Sequence, residues 1–205
     1  METVRENVVA ERRELAAMLE ALTPEQWAAP SLCAGWRVRE VVAHMTMPFR
    51  MSAPRFALEM AKAKANFNLM ADRMARRDTA RMSDADLLDD LKDNAEHRWS
   101  PPGGGEVGAL SHDVIHGLDI AVALGLERRP PASRVGLVLE AMRARNRNFF
   151  GTDLSGVRLE ATDLDWQFGE GEPLAGEAGD LLLVVCGRRL PEGVLRGTPA
   201  FRFTG

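Results

Sequence analysis

The first three quarters of this chain read as successive helical runs with apolar side chains three or four apart, several opened by a capping residue or ended by proline or glycine. Val4, Val8, Leu15, Met18, Leu19 and Leu22 set this rhythm over residues 2–22 and predict an amphipathic helix. Thr23-Pro24-Glu25-Gln26 predicts a fresh start, with threonine as N-cap, proline at the first helical position and glutamine at the capping-box position. A loop through Pro30 and Gly35 leads into a helix bearing His44, which Pro48 is expected to end or kink. Helix is expected again over residues 55–77. Ser83 caps the next, running to about Trp99, and Pro101-Pro102-Gly103-Gly104-Gly105 stops it. A further helix is expected to Leu124 with Gly125 as its left-handed terminator, and another from Ser133 to near Phe150. Helices of this kind bury their stripes only against one another, so residues 1–153 are read as a helical bundle.

The texture changes at Leu154. Gly156 to Thr162 alternates with period two, as a half-buried strand does, and Trp166-Gln167-Phe168-Gly169 is expected as its hairpin partner. Ala178–Val185 reads as a short apolar helix, and Ala200-Phe201-Arg202-Phe203 as a final edge strand. Residues 154–205 are thus expected to form a small α/β domain. About fifty residues are marginal alone, so it is expected to pack on the bundle. The fold class is mainly α, with a small C-terminal α/β extension.

Three of the four histidines fall where one metal ion could collect them. His112 and His116 are four apart in a helical stretch, which puts both imidazoles on one face. His44 lies in a separate helical run. Two imidazoles from one helix and one from another make the three-ligand set of catalytic zinc, with a fourth position left for water or substrate. Chance pairs at this spacing are common, and a satisfied core histidine is the bland alternative. Asp119, three after His116, and Glu40, four before His44, are candidates to orient these ligands from behind. Asp113, next to His112, is expected to point elsewhere. His97, beside Glu96 and Arg98, is read as a helix-end cation outside the site. Cys33 is either a small buried hydrophobe in its turn, which is the favoured reading, or a fourth ligand or nucleophile.

Composition narrows the field. A net charge of −4 and the lack of a base-reading motif argue against nucleic acid as a partner. The longest apolar run, Leu181–Cys186, falls far short of a membrane span, and the charged N-terminus has no apolar signal core, so a cytoplasmic location is expected. Cys33 and Cys186 are not expected to pair.

The stretch Ser31-Leu32-Cys33-Ala34-Gly35-Trp36-Arg37-Val38-Arg39-Glu40-Val41-Val42-Ala43-His44 resembles the C-x-G-W-x-V-x-[DE]-x-x-x-H opening of the mycothiol-dependent maleylpyruvate isomerase family, part of the DinB-like superfamily of metalloenzymes. His112 to Ala121 is similar to its [EH]-x-x-x-H-x-x-D helix, and Ala161–Trp166, Leu174–Leu183 and Gly187-Arg188 are similar to its appended C-terminal domain. The resemblance implies a DinB-like four-helix bundle holding one divalent metal through His44, His112 and His116. Zinc is the first choice, with nickel or another transition metal as alternatives. It also implies mycothiol, a low-molecular-weight thiol of actinobacteria, as cosubstrate. Family members tend to carry glutamate where this chain has His112, and three neutral ligands leave the ion its full charge. Trp36 and Arg188 are the expected substrate contacts, Arg188 for an anionic group.

The enzyme expected is a metal-dependent thiol S-transferase or isomerase in which a metal-activated thiol attacks an electrophilic small molecule. The alternatives are a metal-dependent hydrolase and a non-enzymatic metal- or ligand-binding protein. A homodimer is expected from the resemblance alone.

Overall fold

The computed structural model describes residues 2–144 and 151–205. Its helices are α1 (Val4–Glu20), α2 (Pro24–Ala28), α3 (Val38–Arg50), α4 (Ala53–Lys62), α5 (Phe67–Thr79), α6 (Asp84–Asp93), α7 (Gly105–Ala123), α8 (Ala132–Ala144) and α9 (Ala178–Val185). Three short strands, β1 (Val157–Ala161), β2 (Gln167–Gly169) and β3 (Glu172–Gly176), lie between α8 and α9. The chain divides into two compact units, Met1–His116 and Gly117–Gly205.

In the first unit the caps do what the sequence requires of them. Thr23 and Gln26 exchange hydrogen bonds at the start of α2, with Thr23 N donating to Gln26 Oε1 at 2.9 Å. Ser83 and Asp86 repeat the device on α6. Helix α3 packs on both α5 and α6, and α1 packs on α6. The core between them is built from Leu15, Leu19, Val38, Val41, Val42, Met45, Leu87 and Leu91, all buried.

Three boundaries differ from expectation. The helix over 55–77 is two helices, because Lys64 and Ala65 turn left-handed and Asn66 caps α5 by accepting from the Leu69 amide. Pro48 lies inside α3, which continues only to Arg50. Helix α6 ends at Asp93, where the Asn94 side chain bonds back to the Asp90 carbonyl at 2.8 Å. The expected run from Ser133 toward Phe150 is seen as α8 as far as Ala144, and its end lies outside the described residues.

In the second unit Gly125 takes the left-handed conformation that terminates α7, with Leu126 N donating to Ala121 O. Strand β1 is central: β2 pairs with it antiparallel, Leu159 opposite Phe168, and β3 pairs parallel, Leu159 opposite Leu174. To reach the far side of β1 the chain passes Gly156 at Gly171, where a Cβ would stand 2.2 Å from the Gly156 carbonyl oxygen, so only glycine fits. Helix α9 buries almost its whole length against α8, β1 and β3. Strand β3 is not foreshadowed by any alternation in the sequence. The expected edge strand at 200–203 is instead a 3-10 turn, Thr198–Arg202, opened by Pro199, whose missing N–H suits a turn and not a ladder. Both cysteines are free thiols.

Candidate metal centre

His44 sits in the second turn of α3, a helix whose first turn is fixed by a capping box. The Arg37 amide donates to Glu40 Oε2 at 3.0 Å. The Arg37 guanidinium grips the same carboxylate at 2.9 and 2.5 Å, and Thr79 Oγ1 donates to it at 3.1 Å. Glu40 is therefore fully engaged in starting α3 and tying it to α5. The expectation that it backs His44 is corrected, since His44 Nδ1 is buried with no hydrogen-bond partner.

His112 and His116 project from one face of α7, and all three imidazoles converge. Ring centroids are 5.1 Å apart for His44 and His112, 5.0 Å for His44 and His116, and 4.9 Å for His112 and His116. One nitrogen from each lies within 4.8 Å of the others. His44 Nε2 and His112 Nε2 are 3.3 Å apart. A tetrahedral ion with bonds of about 2.0–2.1 Å holds two nitrogens roughly 3.3–3.4 Å apart, so this pair already has the spacing of two zinc ligands. Two ring nitrogens facing one another this closely need positive charge between them, from a proton or a metal ion.

Burial favours the neutral form of two of the donors, His44 and His112. His44 is held well below the ordinary histidine range, by burial first and then by His116 and His112. His112 is also lowered by burial, against an opposing hydrogen bond to Asp113. Neutral imidazole is the form that ligates a metal.

The carboxylate that backs a histidine here is Asp113. Its Oδ1 lies 3.0 Å from His112 Nδ1, and its Oδ2 takes a 2.7 Å bond from Arg12 Nε. Neighbouring side chains on a helix normally diverge, which is why Asp113 was expected elsewhere; its short side chain folds back along α7 instead. Arg12, absent from the sequence-based candidates, does carry a signal in the sequence. With Val8, Leu15 and Leu19 it occupies the apolar stripe of α1, and a charge in that register needs a buried partner.

Aromatic rings surround the cluster. Trp36 lies 5.2 Å from His44, its indole N–H donating to Asp72 at 2.9 Å, so the ring is a fixed plate. Trp99 lies 5.2 Å from His112, and Phe67, 47% exposed, turns its edge to His44 at 6.5 Å. Cys33, buried, brings its Sγ to 3.7 Å from His116 Nδ1. His97 lies apart from the three, its ring against Phe49. In the second unit, Asp119 is fully buried and takes a two-pronged bond from Arg188 at 2.7 and 3.0 Å, so the guanidinium fork is already engaged.

Comparison with known proteins bears on the fold and on the N-terminal part of the chain. Residues 8–100 match the family described as the mycothiol maleylpyruvate isomerase N-terminal domain, a span that includes His44 and ends before His112. A crystal structure of a histidine-to-alanine mutant of the mycothiol-dependent maleylpyruvate isomerase superposes with a TM-score of 0.55 at 12% identity, covering 98% of this chain and 97% of that one. A second crystal structure of the mycothiol-dependent maleylpyruvate isomerase gives a TM-score of 0.45 at 13% identity, with the same coverage. No curated protein matches. At such identities the first superposition speaks for a shared mainly α fold with a small α/β part. Residues 8–100 are thus similar to the N-terminal domain of the mycothiol maleylpyruvate isomerases.

Proposed function

We propose that this chain is a divalent-metal-dependent enzyme, a transferase or isomerase that works through a low-molecular-weight thiol of the mycothiol type on an electrophilic small molecule. The observation that carries the reading is the 3.3 Å approach of His44 Nε2 and His112 Nε2 beside His116, with His44 buried, His112 half-buried and both held toward the neutral form. The likeness of residues 8–100 to the mycothiol maleylpyruvate isomerase N-terminal domain supports the choice of thiol. A divalent ion held by His44, His112 and His116 would keep its full charge and lower the pKa of a thiol, so that thiolate is available at neutral pH. Zinc suits a donor set of imidazoles.

The chain's own residues bind and orient. Trp36, pinned by Asp72, offers a flat apolar surface beside His44, and the exposed Phe67 extends it. These plates suit the carbon body of the electrophile and keep water from it. Hydrolysis is the weaker reading, because it needs a free general base, and Glu40, the carboxylate one turn before His44, is held by Arg37 and Thr79.

Incubation of the zinc-loaded protein with mycothiol and a haloarene separates the readings. Thiol conjugate formed only with metal supports the proposal. Product released without consumption of thiol turns the assignment to a hydrolase, and no turnover across thiols and electrophiles turns it to a binding protein.

A further inference from the structure

Arg12 and Asp113 form an ion pair buried on both sides, their side chains 0% and 3% exposed. Arg12 also donates through Nη1 to the His97 carbonyl at 2.7 Å and lies over the Phe49 ring. Fixing α1 to the end of the α6 region needs no carboxylate on α7. A buried charge pair is not favoured over an apolar pair of the same volume for stability alone, so its presence beside His112 asks for another reason.

We infer that Asp113 is a positioning residue for His112, itself held by Arg12, and that the Arg12–Asp113–His112 chain makes His112 present a bare Nε2 lone pair toward His44 Nε2. The inference rests on the three-histidine reading above. Asp113 Oδ2 is occupied by the Arg12 Nε–H, and Oδ1 faces His112 Nδ1 at 3.0 Å. A carboxylate only accepts, so the proton between them belongs to His112 Nδ1. A neutral imidazole has one proton, and Nε2 is left with the lone pair that a metal needs. Without Asp113, imidazole in water favours the opposite tautomer slightly, and nothing would hold the His112 proton on Nδ1. Arg12 prevents Asp113 from rotating away, since doing so would strand a guanidinium in the core. The histidine, its orienting carboxylate and the arginine that locks it come from α7 and α1, and none of this needs a residue outside the first unit.

Two measurements test this on the full chain. In the metal-free wild type labelled with 15N-histidine, a long-range 1H–15N correlation spectrum near pH 7.5 reads the His112 tautomer directly. The proton is expected on Nδ1; a proton on Nε2, or an averaged mixture, overturns the inference whether or not the protein binds metal. The second measurement is zinc affinity by competition with a chromophoric chelator. R12M/D113N removes both charges together and offers His112 an amide that can present either a donor or an acceptor. Its zinc dissociation constant is expected to rise about 10- to 100-fold, in the range for loss of a ligand-orienting partner, with His112 now in mixed tautomers. Unchanged affinity overturns the positioning role. If wild type takes up no zinc, the proposed function fails, and the tautomer spectrum still decides the inference on its own. Should R12M/D113N not fold, the wild-type spectrum alone decides between the two outcomes.

Discussion

At the scale of single residues, the site is a set of imidazoles, two of which, His44 and His112, burial holds toward the neutral form. His44 and His112 were legible because one sits before a proline-limited helix end and the other in an i, i+4 pair, and both signals survive in a bare sequence. Asp113 was not legible, because helix geometry argues against neighbours meeting. Arg12 was legible in principle, as a charge on an apolar stripe. Breaking the Arg12–Asp113 pair from one side has a sharp expected consequence. Arg12→Met leaves a buried carboxylate without its cation and should destabilise the first unit by about 3–5 kcal/mol, most of it recovered in R12M/D113N. Urea denaturation followed by tryptophan fluorescence measures both; a single variant as stable as wild type would show that the pair is hydrated. Trp36→Ala removes the plate beside His44 and should raise KM for an aromatic electrophile roughly 2- to 10-fold, the range set by one aromatic contact, with kcat changed far less. Steady-state kinetics across the two proteins checks it, and an unchanged KM would take Trp36 out of the substrate site.

At the scale of elements, the helix starts were readable and the breaks inside apolar stripes were not. Thr23/Gln26 and Ser83/Asp86 announce their helices through two residues three apart, and the structure shows both boxes closed. The division of α4 from α5 was hidden because apolar residues continue through it at helical spacing; only Asn66, a capping residue in mid-run, marks it. Asn66→Ala should therefore cost about 1 kcal/mol in a denaturation experiment, and no loss would mean that packing on α3 alone holds the start of α5. Strand β3 is hidden because Glu172 to Gly176 contains a proline and lies in a glycine-rich turn region. Helix α9 was readable with its correct ends but not its buried charge. Asp180, in its first turn, has an oxygen with no hydrogen-bond partner, and burial raises its pKa to about 6, against the lowering effect of Arg129. A carboxyl raised in the folded state binds protons that the unfolded state has released, so stability falls as pH rises from about 4 to about 6 and stays lowered above that. Asp180→Asn should raise the melting temperature at pH 7.5 and leave it nearly unchanged at pH 4. An equal gain at both pH values would show that the benefit does not come from titration of this carboxyl.

At the scale of the whole chain, the change of texture near residue 154 located where strands begin, and the mainly α class with a small α/β part follows from it. No helix among the described residues is long and apolar enough to cross a membrane. What sequence could not supply was convergence: nothing in the spacing of His44 and His112, 68 residues apart, says that their Nε2 atoms approach to 3.3 Å. Both helices carry buried apolar residues beside their histidines, Val41 and Val42 on α3 and Leu110 and Val114 on α7. The helices therefore do not need the ion in order to fold, and removal of metal should cost activity and not structure. Equilibrium dialysis against zinc, with metal content read by mass spectrometry, tests this central claim most directly. One zinc per wild-type chain is predicted, with none retained by His44→Ala, His112→Ala or His116→Ala variants whose helical circular dichroism is intact. Wild-type protein free of zinc after dialysis, or variants that hold it as well as wild type does, would contradict the three-histidine site.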